Sequence, residues 1–477
     1  MAQFSQSDIE QIEKHGLTQG AINQQLDDFA AGFPFADIVA PATVNNGVQE
    51  ISDSVFSDFY DAHADEYKIV KFVPASGAAT RMFKDLFEYL STDVMNKTTQ
   101  MVLDNLDKFA FYSELQTFLP ANPSNRDVIE CIITNRGLDY GHLPKGLLKF
   151  HSYDDYAATA VAEHLSEGAQ YAASNGVVNI HFTVSPEHIS GFKDLLQEIV
   201  PIYERRCGVR YNIDLSVQKS ATDTIAVNLD NTPFRNDDGT LLFRPSGHGA
   251  LIENLNDIDA DIVFIKNIDN VCPDAARDDT VFAKKSLAGM AIKIQRQIFE
   301  YLRALDDGTA NMSDVKEFIN KYLGIRAGDG VNVRDVLNRP LRVCGMVRNT
   351  GAAGGGPFWT RDMSGNISLQ IVESSQIAPD RQDILAKGEY FNPVDVVCMV
   401  RDYRGQKFDL PDFVDTQTGF ISEKSKDGRP LRAMERPGLW NGAMAKWNTV
   451  FVAVPATTFT PAKVITDLLT QAHQQSE

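Results

Sequence analysis

The sequence predicts an α/β protein built on a mainly parallel sheet. After Pro144, short apolar runs alternate with segments of helical periodicity, which is the order that repeated strand–helix–strand units produce. The expected strands include residues 177–184, 210–217 and 261–265. Polar residues follow several of these runs, and in parallel sheets ligands bind at the carboxyl ends of the strands. We therefore expect a binding site at that edge of the sheet.

The chain divides into segments of different pattern. Residues 1–66 carry apolar residues at helical spacing and predict a helical N-terminal extension. The main α/β domain is expected over residues 67–460, with helical insertions at about 92–143 and 276–325. The first insertion could serve as a lid or only as packing. Residues 461–477 predict a polar helical tail.

The composition is that of a soluble globular protein, with 43% hydrophobic and 23% charged residues. The net charge of −19 disfavours nucleic acid or an anionic membrane surface as the main partner. No apolar run approaches the ~18 residues that a membrane span needs, and the N-terminus lacks the apolar core of a secretion signal. We therefore expect a cytoplasmic protein. The five scattered cysteines predict free thiols rather than a zinc site or disulfides.

The stretch KIVKFVPASGAATRMFK, residues 68–84, is the first candidate for binding phosphate. Its apolar first half, ending at Pro74, predicts a buried strand, and the small side chains that follow let backbone amides approach a ligand. A helix beginning near Thr80 would direct free N–H groups at that ligand, with Arg81 as a positive charge beside it. The alternative is an ordinary strand-to-helix turn. The sequence contains no Walker A loop, and no GxGxxG follows this strand.

Two further charged residues are candidates for contact with phosphate. Lys145 lies between Pro144 and Gly146 on a short turn, although a lone lysine is more often a solvated surface residue. Asp269 follows an apolar run in the sequence VFIKNIDNV. A carboxylate at the carboxyl end of a strand suits Mg²⁺, which prefers a few carboxylates together with phosphate oxygens. A turn-forming N-x-D-N segment would give the same pattern.

Two glycine-rich segments complete the set of candidates. In RPSGHGALIENL, Gly247 and Gly249 flank His248 ahead of an expected helix, so the backbone could closely approach a flat ring or a phosphate. His248 has no visible Ser or Cys partner, so the sequence does not indicate a hydrolase. In RNTGAAGGGPFW, residues 348–359, three consecutive glycines indicate either a binding turn or a flexible hairpin.

Together these segments resemble the sugar-nucleotide pyrophosphorylases, the nucleotidyltransferases that join a nucleoside triphosphate to a sugar 1-phosphate. ASGAATRM, residues 75–82, resembles the signature loop AGGxGTRL of that family. Pro144-Lys145-Gly146 resembles its P-K-G segment, and PSGHG followed by KNIDN resembles the uridylyltransferase branch. LSVQKSAT and LQIVESS resemble uridylyltransferase segments, whereas MERPGLWNGAM resembles sugar-binding elements of the guanylyltransferase and thymidylyltransferase branches.

The resemblance implies a Rossmann-like α/β fold of the glycosyltransferase A type and a reaction that releases pyrophosphate, with UTP favoured. It implies catalytic roles for Arg81 and Lys145, and Mg²⁺ bound by Asp269. The implied nucleotide-binding residues are Ala75, Ser76, Gly77, Ala78, Thr80, Gln218, Gly247 and His248. The implied sugar-phosphate-binding residues are Glu373, Glu435 and Asn441.

The sequence departs from the family pattern at several positions. Ser76 and Ala79 replace two glycines of the signature loop, and Arg436 replaces a lysine. Ser76, Ala79 and the two helical insertions favour an alternative, a non-catalytic protein that binds a sugar nucleotide. A glycosyltransferase on the same fold is a further alternative, but the D-x-D match at residues 259–261 precedes its strand and is badly placed for a metal. The identity of the base and the sugar and the oligomeric state are left open.

Overall fold

The computed structural model describes residues 4–77, 79–326, 331–351 and 355–474. The α-helices among these residues are α1 Gln6–Lys14, α2 Gln19–Ala31, α3 Val55–His63, α4 Lys84–Thr92, α5 Lys97–Asp104, α6 Tyr112–Leu115, α7 Asn125–Ile133, α8 Ala160–Tyr171, α9 Ile189–Cys207, α10 Leu251–Asp257, α11 Asp278–Asp306, α12 Met312–Tyr322, α13 Val333–Leu337 and α14 Asp383–Ala386.

The strands are β1 Asp37–Pro41, β2 Thr43–Val44, β3 Gly47–Glu50, β4 Ile69–Pro74, β5 Lys149–Ser152, β6 Ala157–Thr159, β7 Ala173–Ser174, β8 Val177–Thr183, β9 Arg210–Ser216, β10 Thr224–Ile225, β11 Phe243–Arg244, β12 Ile262–Ile265, β13 Ile325–Arg326, β14 Leu341–Arg348, β15 Gly356–Arg361, β16 Ile367–Val372, β17 Tyr390–Met399, β18 Phe420–Lys426, β19 Arg429–Glu435 and β20 Asn448–Ala453.

A ten-stranded sheet forms the centre of the protein, in the order β2-β3-β20-β14-β17-β12-β4-β8-β7, with β9 also paired to β8. Neighbours are parallel except where β17 pairs with β14 and β12, and where β7 pairs with β8. The expected α/β fold with a mixed, mainly parallel sheet is confirmed. Because β4, β8, β9 and β12 run in one direction, their carboxyl ends meet at one side of the sheet, which we call the carboxyl edge.

Both faces of this sheet are covered, which explains the uninterrupted apolar run of β12. Ile262 and Phe264 face the cluster that contains residues of α11, whereas Val263 and Ile265 face the cluster that contains residues of α10. Side chains of a strand alternate between faces, so a strand buried on both sides is apolar throughout. Asn254 of α10 donates from Nδ2 to the carbonyl oxygen of Val217 at 2.8 Å, just past the end of β9. The N-terminal end of α10 therefore lies at the carboxyl edge.

The N-terminal extension is only partly helical. Helices α1, α2 and α3 form as expected, but residues 37–50 contain three strands. Strand β1 pairs with β15 in a four-stranded sheet, and β3 pairs with β20 in the main sheet. The helical prediction is wrong for residues 37–50, because β1 and β3 pair with strands more than 300 residues away along the chain and the short strands carry no periodic signal of their own.

The end of the chain also differs from the prediction. Residues 461–474 contain no α-helix but a short 3-10 helix at Ile465–Leu469, and the rest of the expected tail, residues 475–477, lies outside the described residues. Ile465 and Leu468 are buried in the core cluster that also contains residues of α4 and α7. The segment is therefore packed on the domain. The two helical insertions match α5 to α7 and α11 to α12.

Two further expectations concern cysteines and membrane spans. The five cysteines are free, and four of them are buried. None of the helices in the described part of the chain has the length and apolar character needed to cross a membrane.

Candidate functional site

The segments that follow β4, β8 and β9 lie side by side at the carboxyl edge. The Ala75 N–H donates to the carbonyl oxygen of Thr183 at 2.8 Å, and the Val184 N–H donates to that of Ser216 at 2.8 Å. Neighbouring strands are ~4.8 Å apart, so the segments after β4 and β9 are separated by about 10 Å. A nucleotide can span such a distance.

The loop after β4 is held by two neighbouring segments. Ser185 donates from Oγ to the carbonyl oxygen of Ser76 at 3.1 Å, and the Ala79 N–H donates to that of Leu143 at 3.2 Å. Gly77 and Thr80 are exposed on this loop, whereas Ala78 lies outside the described residues. The loop thus offers an open surface beside the segment that leads into Lys145.

The helix expected near Thr80 begins later. Residues Ala79–Arg81 form a 3-10 turn, and α4 begins at Lys84. Met82 and Phe83 turn into the core at 2% and 1% exposure, and this inward turn separates the loop from the helix. The free N–H groups at the start of α4 are therefore not those of the loop, and the predicted helix terminus at Thr80 is wrong.

Replacing glycines of the family loop by Ser76 and Ala79 introduces no backbone strain. Neither residue has a positive φ angle, and the described part of this loop contains no left-handed residue. Only a left-handed φ would favour glycine over a residue with a Cβ atom. The described backbone of this loop therefore tolerates Ser76 and Ala79 in place of the family's glycines.

Arg81 supplies an unpaired positive charge beside the loop. Its side chain is exposed and forms no hydrogen bond or ion pair with any residue that the structure describes. The guanidinium group is therefore available to an anionic ligand, and its predicted role at the site stays a prediction.

Lys145 and Asp269 form an ion pair at this edge. Lys145 Nζ lies 2.8 Å from Asp269 Oδ2 and donates a second hydrogen bond to the carbonyl oxygen of Ala462, also at 2.8 Å. The side chains are 13% and 20% exposed. The Ile268 N–H donates to the carbonyl oxygen of Pro74, which places the turn after β12 next to the end of β4. The fold thus brings two predicted residues into direct contact.

The donor set around Asp269 limits how Mg²⁺ could bind. In the described parts of the chain, no group of three or more His, Cys, Asp or Glu side chains could hold a metal ion. Oδ2 of Asp269 already accepts from Lys145, and the amide of the neighbouring Asn270 is bonded to Thr458 and Thr460. Among the described residues of this turn, Asp269 is the carboxylate that could bind a metal. This fits Mg²⁺ only if phosphate oxygens of a ligand complete its coordination.

A second cluster forms around the turn Gly247–Ala250, which precedes α10. Gly247 has a φ of +76°, and a Cβ atom there would lie 2.5 Å from Oε2 of Glu435. The left-handed backbone favours glycine at this position, and the Glu435 carboxylate occupies the space beside it. The Glu435 carboxylate is half-buried and has no hydrogen bond or ion pair with a described residue. It can therefore accept hydrogen bonds from a ligand.

His248 is fixed by three contacts. Its Nδ1 accepts a hydrogen bond from the Leu439 N–H at 3.0 Å, so a neutral ring carries its proton on Nε2, which lies 3.5 Å from Glu373 Oε1. The Trp440 ring stacks on the imidazole, with centroids 4.0 Å apart. Trp440 Nε1 also donates to Glu373 Oε1 at 3.2 Å. Burial raises the pKa of Glu373, but the hydrogen bonds from His248 and Trp440 outweigh it and lower the pKa overall. Glu373 is thus an ionised acceptor.

Asn441 belongs to the same cluster. Its Nδ2 donates to Gln376 Oε1 at 3.0 Å, and the same oxygen accepts from the Glu373 N–H at 3.0 Å. Asn441 Oδ1 is buried and has no partner among the described residues. The three predicted sugar-phosphate residues, Glu373, Glu435 and Asn441, therefore gather around one turn. Sequence reasoning missed Trp440, although it lies inside the quoted segment MERPGLWNGAM, and it missed Gln376, which carries no signal.

Gln218 lies beside this cluster, two residues after the end of β9. Its Nε2 lies 3.4 Å from Thr222 Oγ1 and 3.5 Å from Asp223 Oδ1. Arg436 donates to the carbonyl oxygen of Ala221 at 3.1 Å, which ties the 218–223 segment to the residue that follows Glu435. The predicted base-binding residues Gln218 and Gly247 therefore share one region.

Two other sequence candidates are placed as follows. Asp259 and Asp261 of the D-x-D match both contact Lys68 and Arg401 at the amino end of β12. They lie at the edge opposite the candidate site, so a metal role in glycosyl transfer has no support. Residues 352–354 of the glycine-rich turn lie outside the described residues. A Cβ atom at Gly355 would lie 3.1 Å from Glu373 Cγ, so the end of that turn borders the second cluster.

A buried ion cluster beneath the sheet was not predicted. Glu167 of α8 accepts from Lys71 of β4 at 3.2 Å and from Lys266 at 2.8 Å, and all three side chains are at most 1% exposed. Burial lowers the pKa of Lys71 to about 7, although the Glu167 carboxylate opposes this shift. Lys284 and Asp395 form a second buried pair. The visible signal was Lys71, a charged residue inside an apolar strand.

The fold and the site define an α/β protein whose carboxyl edge carries an exposed loop, a lysine–carboxylate pair and a carboxylate-rich turn. The fold is similar to that of the uridine diphosphate N-acetylglucosamine pyrophosphorylase from Trypanosoma brucei, solved in complex with an inhibitor. The TM-score is 0.50 at 10% identity, covering 94% of this chain and 74% of that chain. An Entamoeba histolytica protein described as a UDP-N-acetylglucosamine pyrophosphorylase gives a TM-score of 0.43 at 10% identity, covering 87% of this chain and 82% of that chain.

The chain belongs to the DUF4301 family, described as a domain of unknown function, whose model matches residues 5–474. No curated protein matches the chain in sequence. The likeness to the solved structures concerns the fold.

Proposed function

We propose that the protein is a nucleotidyltransferase that joins a nucleoside triphosphate to a sugar 1-phosphate and releases pyrophosphate. The observation that carries the proposal is the Lys145–Asp269 pair at 2.8 Å, on the carboxyl edge and beside the open loop after β4. The unpaired Arg81 and the second cluster around His248 support it. The fold shared with a UDP-N-acetylglucosamine pyrophosphorylase supports the class of reaction.

In the proposed reaction, an oxygen of the sugar 1-phosphate attacks the α-phosphorus of the triphosphate. A new P–O bond forms while the bond from the α-phosphorus to the bridging oxygen breaks, and pyrophosphate leaves with the electron pair. No covalent enzyme intermediate is needed. Arg81 would stabilise the charge on the departing pyrophosphate, and Lys145 the charge on the α-phosphate. Mg²⁺, when bound at Asp269 together with phosphate oxygens, would neutralise further charge.

The Lys145 ammonium group has the freedom that this role needs. It can donate three hydrogen bonds, and the structure shows two, to Asp269 and to Ala462. One donor is left for a phosphate oxygen. If Asp269 turns toward a cation, a second donor becomes available to the ligand.

The second cluster would bind the base of the triphosphate and the sugar of the sugar 1-phosphate. Gln218 and the close-approach turn at Gly247 and His248 would contact the base, with UTP favoured. Glu435 and Glu373 are carboxylates suited to accept hydrogen bonds from sugar hydroxyls, and Asn441 would lie with them. Both halves of the proposed product would then lie along one edge of the sheet.

The test is a panel of four nucleoside triphosphates against common sugar 1-phosphates with Mg²⁺, scored by pyrophosphate release. At least one pair should give pyrophosphate, and Asp269→Ala should abolish it. Asp259→Ala is the matched control, because this carboxylate is at the opposite edge of the sheet and should leave turnover unchanged. Undiminished turnover in Asp269→Ala would contradict the metal-binding role.

A second candidate, a non-catalytic protein that binds a sugar nucleotide, is favoured by one observation. The described residues contain no group of three or more side chains that could hold a metal, and Asp269, the predicted metal ligand, is already bonded to Lys145. Calorimetry distinguishes the two functions. Nucleotide binding without pyrophosphate release, across all sugar phosphates and with Mg²⁺, would establish the binding protein.

A further inference from the structure

The end of the chain passes directly over the candidate site. We call residues 456–474 the C-terminal strap. Its residue Ala462 accepts a hydrogen bond from Lys145 Nζ at 2.8 Å, and its N–H donates to the carbonyl oxygen of Asp269 at 3.0 Å. One residue of the strap therefore bonds to both members of the ion pair on which the proposed function rests.

Further contacts fix the strap on either side of Ala462. The Thr460 N–H donates to Asn270 Oδ1 at 2.9 Å, and Thr460 Oγ1 donates to the carbonyl oxygen of Val271 at 3.0 Å. The Ile465 N–H donates to the carbonyl oxygen of Met82 at 3.2 Å, and the Ile465 side chain is fully buried. The strap thus joins the turn after β12 to the residue that follows Arg81.

The far end of the strap is held by a hydrogen bond between two histidines. His151 Nδ1 lies 2.8 Å from Glu163 Oε1, and His151 Nε2 lies 2.9 Å from His473 Nδ1. Both rings are buried, with 0% and 3% of their surface exposed. The two rings share one hydrogen bond, in which one nitrogen donates and the other accepts according to the tautomers of the two histidines. This bond closes the strap onto β5.

We propose that the C-terminal strap is a positioning element of the site, in which the carbonyl oxygen of Ala462 holds the Lys145 ammonium at the carboxyl edge. The proposal rests on the proposed nucleotidyl transfer. If Asp269 were to exchange its bond to Lys145 for a cation, the carbonyl oxygen of Ala462 would be the remaining protein acceptor that the structure shows for Lys145. A loosened strap would leave the lysine mobile, so that its charge no longer lies where the α-phosphate reacts.

The substitution His473→Ala tests this proposal, because it removes the hydrogen bond between His473 and His151 at a distance from the substrates. Loss of one aligned charge should lower kcat by about tenfold, while KM for the triphosphate changes by less than about twofold. His473→Asn should retain most of kcat, since its amide offers both a donor and an acceptor near the position of Nδ1. In a Lys145→Ala background, His473→Ala should change kcat by less than about twofold, because a group that acts through Lys145 has no effect without it. Equal losses in both backgrounds would overturn the proposal.

A chemical readout separates this proposal from the proposed function. Acetylation of lysines by a water-soluble active ester, followed by peptide mass spectrometry, reports how tightly each ammonium is held. In His473→Ala, and in Thr460→Val should the first variant not fold, Lys145 should react at least about threefold faster, as expected when its hydrogen bond to Ala462 is weakened. Lys285, paired with Asp61 at 2.9 Å on a distant helix, is the internal control and should not change.

The combined outcomes are decisive. Faster labelling of Lys145 without turnover in the wild type would keep the strap as the holder of Lys145 and reject the proposed reaction. Turnover in the wild type with unchanged labelling and unchanged kcat in both strap variants would reject the strap and keep the reaction.

Discussion

Replacing Glu167 with glutamine tests how much the buried ion cluster contributes to folding. The carboxylate accepts from Lys71 at 3.2 Å, from Lys266 at 2.8 Å and from the Tyr171 hydroxyl at 2.6 Å. The substitution keeps the volume of the side chain but removes its charge, so the two buried lysines lose their counter-charge. Breaking a buried pair from one side costs about 3–5 kcal/mol, since the remaining charge is uncompensated. We expect the free energy of unfolding to fall by that amount.

Urea unfolding gives the change as a shift of the midpoint at constant slope. Glu187→Gln is the matched control, because that side chain is 67% exposed and 3.9 Å from its partner His188. It should change the unfolding free energy by less than about 0.5 kcal/mol. The double variant Glu167→Gln with Lys266→Met should be less destabilised than Glu167→Gln alone, because it removes one unpaired charge. A loss below about 1 kcal/mol in Glu167→Gln would refute the reasoning.

Three other substitutions have expected outcomes. Gly247→Ala should lower the unfolding free energy by about 1–2 kcal/mol in urea unfolding, because its φ of +76° is a left-handed conformation that is strained for a residue with a Cβ atom; an unchanged midpoint would contradict the left-handed backbone. Arg81→Ala should raise the barrier to pyrophosphate release by about 2–4 kcal/mol, measured as kcat/KM; a loss in rate below about threefold would argue against its role. Burial, together with a neighbouring histidine, lowers the pKa of His473 from 6.5 to about 4. The stability from the neutral ring is therefore present above about pH 6.5 and is lost as the pH falls toward 4, by up to ~1.4 kcal/mol per pH unit. His473→Asn should lose less thermal stability than the wild type between pH 7 and pH 5, and equal losses would contradict this origin.

The sequence predicted the central sheet well where strands are apolar on both faces. In β12, four consecutive apolar residues predict a buried strand, and the structure places them between two layers. The short strands β1 and β3 were missed, because they depend on pairing with β15 and β20 and have too few residues for a pattern. Long-range pairing leaves little trace in a local window of sequence.

The residues of the candidate site also divide into those that the sequence could predict and those that it could not. The motifs named Lys145 and Asp269 separately, and the fold brings them to 2.8 Å from each other. Their partner Ala462 could not be named, because a backbone carbonyl has no signature in the sequence. The stacking of Trp440 on His248 depends on two segments 192 positions apart (440 − 248) and on glycines that allow close approach. The catalytic and binding roles of all these residues are still predictions.

The reaction of a triphosphate labelled with ³²P at the α-position is the most direct test of the proposed nucleotidyl transfer. With Mg²⁺ and a sugar 1-phosphate that the panel identifies, the label should appear in a nucleotide sugar, in amounts equal to the unlabelled pyrophosphate released. Lys145→Ala should reduce both products together. Binding of a triphosphate by calorimetry, with no labelled nucleotide sugar from any of the four bases, would contradict nucleotidyl transfer and leave a protein that only binds nucleotides.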